Sequence, residues 1–321
     1  MQKNQSIYVV ILNWNGLAMT RECLHSFSFV TRRHKIIVVD NGSTDGSALK
    51  LKGEFPEHLV IENSHNLGYA AGNNVGIKQA LKENADYILV LNNDTAVCPD
   101  CLDALVEQDK ALKHESIIGS AIINYYSRDE LDHLGGIWND KKNNFDLIGA
   151  KAPLSHLPRL AKTPLDYIMG CALFAKGSTF SKIGLFNPQY FLFWEEVDWC
   201  YRAKKLNIGL TICAQSLIYH KGSASFQGNS PHKEYFWWRS RLLWMDKNIP
   251  SSTYAIRPEI VKTARHFLLL HMQRVGYALL LNTKGARHKT AQIKRKKAAL
   301  RGMVDYCLSR FGPPPKNVLS K

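Results

Sequence analysis

The sequence predicts an α/β protein: a mostly parallel sheet flanked by helices, followed by a basic, helical C-terminal extension. Short apolar runs of the kind buried on both faces recur at Ile7–Leu12, Lys35–Val39, Leu59–Glu62 and Tyr87–Leu91. Helical stretches separate them, the pattern of βαβ units. Three of the runs stop in loops rich in Asn and Asp, namely Asn13/Asn15, Asp40/Asn41 and Asn92/Asn93/Asp94. In a parallel sheet these ends share one edge, and open α/β sheets bind ligands at the carboxyl edge of their strands.

The first run is broken by Asn13-Trp14-Asn15-Gly16 and followed by an amphipathic stretch with Leu17, Leu24 and Phe27 on one side. The second stops at Asp40–Gly46, a loop holding a turn and then a helix start, with Ser43 and Thr44 as candidate N-caps. After the third, Asn66–Gly76 leads into a helix reaching about Leu81. Its glycines at 68, 72 and 76 are four apart and do not match the G-x-G-x-x-G of dinucleotide sites. Beyond the fourth run, Asp94 is a lone carboxylate flanked by amide oxygens. That set suits a hard cation holding a phosphate, with an ordinary polar turn as the alternative. A helix is expected over Pro99–Lys113, with Pro in its first turn.

The middle of the chain, 124–161, is less regular, with a His133–Gly136 turn and a polar Asn139–Asn144 patch. Asp166–Lys176 reads as one strand, in which Gly170 allows close backbone approach. Gly170–Ser178 misses the P-loop pattern, because Ala175 stands where the second glycine is required. Tyr190–Arg202 then carries an aromatic run into three carboxylates. A helix beginning near Glu195 puts Glu195, Asp198 and Arg202 on one face, with Glu196 beside it. Aromatic neighbours desolvate a carboxylate and raise its pKa, which suits a general base. A capped helix start with an acid–Arg surface network is the alternative. Tyr219-His220-Lys221-Gly222-Ser223 follows a strand-like Gly209–Cys213, and a lone His there reads first as structural.

Composition bounds the function. With 321 residues, 45% of them hydrophobic, the chain can bury the core of one large or two smaller domains. Seven scattered cysteines, an odd number, point to reduced thiols in a cytosol, and Cys98–Cys101 is a C-x-x-C without a second pair. No secretory leader is expected, and no apolar run approaches the ~20 residues of a membrane span. The net charge of +15 is uneven: from Ile260 to Lys321 fourteen Lys/Arg face one acid, Asp305, while the rest has 28 basic and 26 acidic residues. Such asymmetry implies a polyanionic surface as partner.

Read together, these stretches resemble the family 2 glycosyltransferases, inverting enzymes with the Rossmann-like GT-A fold, and most of all their bacterial rhamnosyltransferase-like members. The likeness is carried by VVILNWNG (Val9–Gly16), VVDNGSTDGS (Val38–Ser47), NLGYAAGNNVG (Asn66–Gly76), LVLNNDT (Leu89–Thr95), MGCALFAK (Met169–Lys176), FLFWEEVDWCYR (Phe191–Arg202) and HKGSAS (His220–Ser225), in the family's order. The resemblance implies that Asn13, Asn15 and Asp40 line the pocket for base and ribose, and that Asn66, Gly68 and Asn73 belong to a segment closing over the nucleotide. It implies that Asn92-Asn93-Asp94 takes the place of the D-x-D motif, with Asp94 as ligand of a divalent Mg²⁺ or Mn²⁺ and His220 as a second ligand. Glu195-Glu196 falls on the family's acidic pair, one member of which is the base, while Gly170, Trp194 and Asp198 are expected on the acceptor side. Asn replaces the first Asp of D-x-D, and Glu stands where Asp is usual at the pair. The expected divisions are 1–124, a nucleotide-sugar-binding half, 125–229, an acceptor-binding and catalytic half, and 230–321, the helical extension.

In that extension, Pro231–Asn248 interleaves aromatics with Lys and Arg, and Lys262–Asn282 sets an apolar run beside Arg265, His266, His271 and Arg274. This suits a helix lying in a bilayer interface rather than crossing it. Lys284–Arg301 adds eight Lys/Arg and no acid. An anionic membrane surface is the expected partner, with a helical pair packed on the catalytic domain as the alternative. Nucleic acid is disfavoured because no recognised binding motif accompanies the charge. The expectation is an inverting transferase, cytoplasmic and peripheral on the inner face of the cell membrane. It would move sugar from a nucleoside-diphosphate donor (dTDP-rhamnose first, a UDP-sugar next) to a saccharide or polyprenyl-linked glycan in surface polysaccharide assembly. A sugar-nucleotide nucleotidyltransferase is the competing enzyme, although Asn13–Gly16 lacks the cation its first loop would need. A non-catalytic nucleotide-sugar-binding scaffold is the competing class.

Overall fold

The computed structural model describes residues 5–222, 230–249, 260–266, 268–273 and 283–314, the last without the side chains of 283–288. Two compact units emerge: Met1–Asn187 with Glu196–Ala224, and Pro188–Glu195 with Ser225–Lys321. The expected halves 1–124 and 125–229 therefore share the first unit, apart from Pro188–Glu195 and 225–229.

The elements of the first unit, in order, are β1 (Ile7–Asn13), α1 (Leu17–Ser26), β2 (Lys35–Asp40), α2 (Ser47–Glu54), β3 (Leu59–Glu62), α3 (Gly68–Lys82), β4 (Tyr87–Asn92), β5 (Thr95–Val97), α4 (Cys101–Ala111) and β6 (Ser116–Asn124). They continue with β7 (Gly135–Asn139), β8 (Asn144–Ile148), α5 (Leu157–Leu160), β9 (Tyr167–Ile168), β10 (Ala172–Lys176), α6 (Gly177–Ile183), α7 (Glu195–Lys205) and β11 (Gly209–His220). The first residue of α7, Glu195, falls in the second unit. The main sheet has eight strands in the order β3-β2-β1-β4-β10-β6-β11-β5, and β8-β7-β9 form a second, three-stranded sheet.

β3, β2, β1 and β4 run parallel, and Asn13 pairs with Asp40 while Leu12 pairs with Asn92. The three polar strand ends thus stand side by side on one edge. Val9, Val38 and Leu89 of these strands are fully buried, and removing each such side chain from water stabilises the fold by about 1.5–3 kcal/mol. The four-residue glycine spacing in α3 has a packing cause. A Cβ on Gly76 would stand 2.5 Å from Val10 Cγ1, and one on Gly72 would stand 2.7 Å from Leu12 Cδ1. These glycines let α3 lie directly on β1 and β2, a different task from cradling a dinucleotide.

β4 and β5 are joined by two residues, yet four strand spacings separate them in the sheet order. With Cα atoms 3.8 Å apart, Asn92 and Thr95 are at most about 11 Å apart, whereas four spacings of a flat sheet need about 19 Å. The sheet therefore curls, bringing β11 and its edge partner β5 round to the carboxyl end of β4.

Several elements differ from expectation. Asp166–Lys176 is two strands: β9 pairs with β7, and β10 lies antiparallel between β4 and β6. The chain changes sheets at Met169–Cys171, where the Met169 N–H bonds the Leu134 carbonyl and the Cys171 carbonyl accepts from the Asn92 N–H. β11 runs past Cys213 to His220 through a register shift between Cys213 and Leu217, so His220 ends a strand. The helix after β2 begins at Ser47, beyond a left-handed Gly46, and has no side-chain N-cap bond. Ser43 instead ties the loop to Asn13 and Asn15.

In the second unit, Ser230 caps the Pro231–Asn248 helix by accepting from the Lys233 N–H at 3.3 Å. That helix packs on the Thr283–Cys307 helix around Asp305, which is fully buried and accepts from Tyr235 at 2.9 Å and Arg301 at 3.1 Å. The tail's lone acid is therefore an internal counter-ion. Phe191, Phe193 and Trp194 have φ of +50°, +64° and +73°, a backbone region costing roughly 1–3 kcal/mol per residue. Ser240 Oγ lies 2.9 Å from both the Tyr190 and Leu192 carbonyls, and Phe191 stacks on Phe236; these contacts hold the strained turn. Trp194 is buried against Trp237 and Trp244, so its ring belongs to the core of this unit. Of the expected interfacial stretch Lys262–Asn282, residues 267 and 274–282 lie outside the described set. Residues 260–266 and 268–273 are helical and expose Val261, Leu268, Leu269 and Met272. Among the described residues no helix is long and apolar enough to cross a membrane.

Candidate active site

At the carboxyl edge, the β1 and β2 ends interlock. Asn13 Nδ2 donates to Asp40 Oδ1 at 2.7 Å, and Asp40 Oδ2 accepts from the Ser43 N–H at 3.0 Å. Thr20 Oγ1 donates to Asn13 Oδ1 at 2.8 Å and accepts from Asn93 Nδ2 at 2.9 Å, joining the β1 end to the β4 turn. Asn15, with φ +50°, accepts from the Thr44 N–H at 2.7 Å. Asn41, buried beside Asp40, donates to Asn66 Oδ1 at 3.0 Å and to the Gly68 carbonyl at 3.1 Å. It thereby fixes the segment that opens α3. Asn73 donates to the Tyr69 carbonyl at 3.0 Å, while its buried Oδ1 has no hydrogen-bond partner. Asn13, Asn15 and Asp40 thus form one network, joined through Asn41, whose N–H donates to the Asn13 carbonyl at 2.8 Å, to Asn66 and Gly68, while Asn73 bonds within α3.

The curl of the sheet brings Asp94 to the end of β11. His220 Nε2 lies 3.3 Å from Asp94 Oδ1, and His220 Nδ1 lies 2.7 Å from Asp132 Oδ2. The Lys221 N–H donates to the Asp94 carbonyl at 3.0 Å. Burial disfavours the imidazolium, but the bonds to Asp132 and Asp94 outweigh it and raise the His220 pKa to about 9. Asp94 Oδ1 is buried, with the His220 ring at 3.3 Å and no hydrogen bond of good geometry, so a protonated His220 or a metal ion can balance its charge. No three acidic, His or Cys side chains converge as a ligand set among the described residues. Asp94 and His220, with Asp132 behind the ring, are the residues whose donor chemistry would suit a divalent ion here.

Gly170 sits at the same edge, because β10 starts opposite Leu91. The Glu196 side chain lies on it: a Cβ at position 170 would stand 3.0 Å from Glu196 Cγ and 3.2 Å from its Cδ. Tyr167 has its pKa raised by burial first and then by the nearby Glu196 carboxylate. Asp198 is buried in an ion pair with Arg202 at 2.8 Å, whose guanidinium also holds the Ile183 and Leu185 carbonyls. This pair anchors α7, as a structural counter-ion would. Glu195, also buried, is the first residue of that helix.

The first unit thus brings Asp40, Asn92, Asn93, Asp94, His220, Gly170 and Glu196 to one edge. Asp132 and Tyr69 were not identified from the sequence. Asp132 lies in the irregular middle and reaches the site only through the fold, with no motif to mark it. Tyr69 belongs to the Asn66–Gly76 stretch, and its hydroxyl contacts Asn92 and Gly170.

The model for glycosyl transferase family 2 matches residues 8–165. Over that stretch the chain matches this family, and its fold is GT-A. It is similar to the low-salt glycan biosynthesis hexosyltransferase Agl10 of Haloferax volcanii, at 27% identity over 237 residues, covering 73% of this chain and 74% of that one. It is also similar to the N-acetylglucosaminyl-diphospho-decaprenol L-rhamnosyltransferase of Mycobacterium tuberculosis, at 25% identity over 262 residues, covering 69% and 82%. Among solved structures, GalNAc-T7 with UDP, GalNAc and Mn²⁺ aligns at TM-score 0.60 and 16% identity over 81% of this chain. The present chain spans about half of that one, 51%.

Proposed function

We propose that the chain is an inverting glycosyltransferase that moves a sugar from a nucleoside diphosphate to a saccharide or lipid-linked saccharide acceptor. The observation that carries this reading is the meeting, on one sheet edge, of an Asp94–His220–Asp132 chain with the Glu196 side chain seated on Gly170. Displacing a diphosphate from an anomeric carbon needs charge neutralisation at the leaving group and a base on the opposite face.

Asp94 and His220 would hold Mg²⁺ or Mn²⁺, which when bound supplies Lewis-acid neutralisation of the leaving diphosphate. Asp40, Asn13 and Asn15 orient the nucleoside, and the Asn66–Asn73 segment closes over it. Glu196 takes the acceptor hydroxyl's proton, so a single in-line displacement inverts the anomeric centre. Glu196 is preferred over Glu195 because its stem is fixed against Gly170 at the sheet edge. Asn92, where an acid would be expected, leaves the ion with fewer anionic ligands and makes its retention depend on the donor's phosphates.

The L-rhamnosyltransferase relative favours a rhamnose donor, dTDP-rhamnose, and a polyprenyl-diphosphate-linked acceptor in surface glycan assembly, with UDP-hexoses as the next donors to try. Thermal unfolding with dTDP-rhamnose, UDP-glucose and UDP-N-acetylglucosamine, each with and without Mn²⁺, tests the reading. One nucleotide sugar is expected to raise Tm with Mn²⁺ and much less without it. No stabilisation by any of them would remove the donor site.

The same acceptor chemistry favours attachment to the cytoplasmic face of the membrane. Supporting this are the excess of basic residues in 260–321 and the exposed Val261, Leu268, Leu269 and Met272 beside Lys262 and Arg265. Each basic side chain near an anionic leaflet contributes about 1 kcal/mol. The full chain should co-sediment with phosphatidylglycerol vesicles, lose that binding in high salt and ignore phosphatidylcholine. Equal partitioning to both lipids would count against an anionic surface as partner.

A further inference from the structure

We infer that Tyr69 is a positioning residue for proton abstraction, holding the Gly170 peptide on which the base rests; this extends the assignment of Glu196 as base and depends on it. The Tyr69 hydroxyl lies 2.7 Å from Asn92 Oδ1 and 3.0 Å from the Gly170 carbonyl oxygen, across sequence separations of 23 and 101 residues. It therefore ties together the first turn of α3, the last residue of β4 and the crossing where the chain leaves β9 for β10. Gly170 is held on two sides. Its carbonyl faces the tyrosine, and its Cα is so close to Glu196 that a methyl group would meet three atoms of that side chain at 3.0–3.2 Å. The neighbouring peptide is pinned as well, by the Asn92 N–H bonding the Cys171 carbonyl at 2.9 Å.

A glutamate has three side-chain torsions, and its carboxylate position is set by what its stem leans on. Here the stem leans on backbone, and that backbone is fixed by Tyr69 and by β4, the strand that leads to Asp94. The arrangement sets the distance between the base and the cation-binding turn through two short links. It also joins the base to the segment that closes over the nucleotide. Removing the hydroxyl keeps the ring and its packing but frees the Gly170 carbonyl. The peptide can then shift, and a misplacement near 1 Å at a reacting group can cost on the order of 10²-fold in rate.

The test uses the full chain with Mn²⁺ and whichever of dTDP-rhamnose, UDP-glucose and UDP-N-acetylglucosamine stabilises it most. Hydrolysis of the donor is the readout, so the acceptor need not be known. Tyr69→Phe is expected to lower kcat by about tenfold with donor KM unchanged within about twofold. In a Glu196→Gln background the same substitution should cost nothing further, because both act through one group. Gly170→Ala should reproduce the pattern and serves if Tyr69→Phe fails to fold. A wild-type kcat in a folded Tyr69→Phe, a rise in KM alone, or an equal loss in both backgrounds would overturn the positioning role. A Glu196→Gln enzyme hydrolysing donor at the wild-type rate would instead refute the base assignment itself.

Discussion

Asp94→Ala is expected to abolish transfer, with a loss of about 10³-fold or more, or ~4 kcal/mol of transition-state stabilisation. Asp94 is buried, its Oδ1 accepts no aligned hydrogen bond, and the closest cationic group is the ring of His220 at 3.3 Å. A carboxylate in that condition destabilises the fold unless a cation compensates it, and here the partner is a histidine already held by a second carboxylate, Asp132. Asp94→Asn is the sharper variant. It keeps the volume and the backbone bond to Lys221, so a loss as large as that of Asp94→Ala assigns the effect to charge. Isothermal titration of the selected nucleotide sugar with Mn²⁺ should show weakened binding in both variants, and hydrolysis of the donor should fall with it. Turnover within about tenfold of wild type in either variant would remove Asp94 from the reaction.

The sequence made the nucleotide-side strands legible for a simple reason. β1, β2 and β4 are buried on both faces, so each reads as an unbroken apolar run that stops abruptly at Asn or Asp, and their shared edge follows from parallel pairing. The other half of the sheet hides itself. β6 is almost wholly buried but carries Ser116, Gly119 and Ser120 in its apolar run. Gly119 is required because a Cβ there would stand 2.3 Å from Ile168. β11 contains a register shift whose extra residues break the alternation, so the sequence pattern ends the strand near Cys213, short of His220. Asp132 meets that histidine because its N–H bonds the Ile122 carbonyl of β6, the strand on which β11 pairs, a contact no local pattern marks. Ser43 and Thr44 resemble caps of the helix after β2, but they bond Asn13 and Asn15, and the helix starts only after Gly46. In each case a local pattern was overridden by a contact distant in sequence, and those contacts build the site.

Glu196→Gln is expected to slow the chemical step by about 10²–10⁴-fold, the range typical of a lost general base. Binding of the sugar nucleotide should survive, because the substitution leaves the Asn13–Asp40–Asn41 network and the Asp94–His220 pair untouched. The side chain keeps its length and its seat on Gly170, so the loss reports the missing charge rather than a new shape. This separates the variant from Asp94→Ala, which should fail at donor binding as well as turnover. Glu195→Gln is the necessary comparison. Glu195 opens α7 and is buried beside the strained turn of Phe191, Phe193 and Trp194, so its replacement should lower Tm more than kcat. If Glu195 were the base, the two variants would exchange phenotypes. If the doubly substituted enzyme turned over at the wild-type rate, neither glutamate would be the base and the proton would have to leave through another group on the same edge.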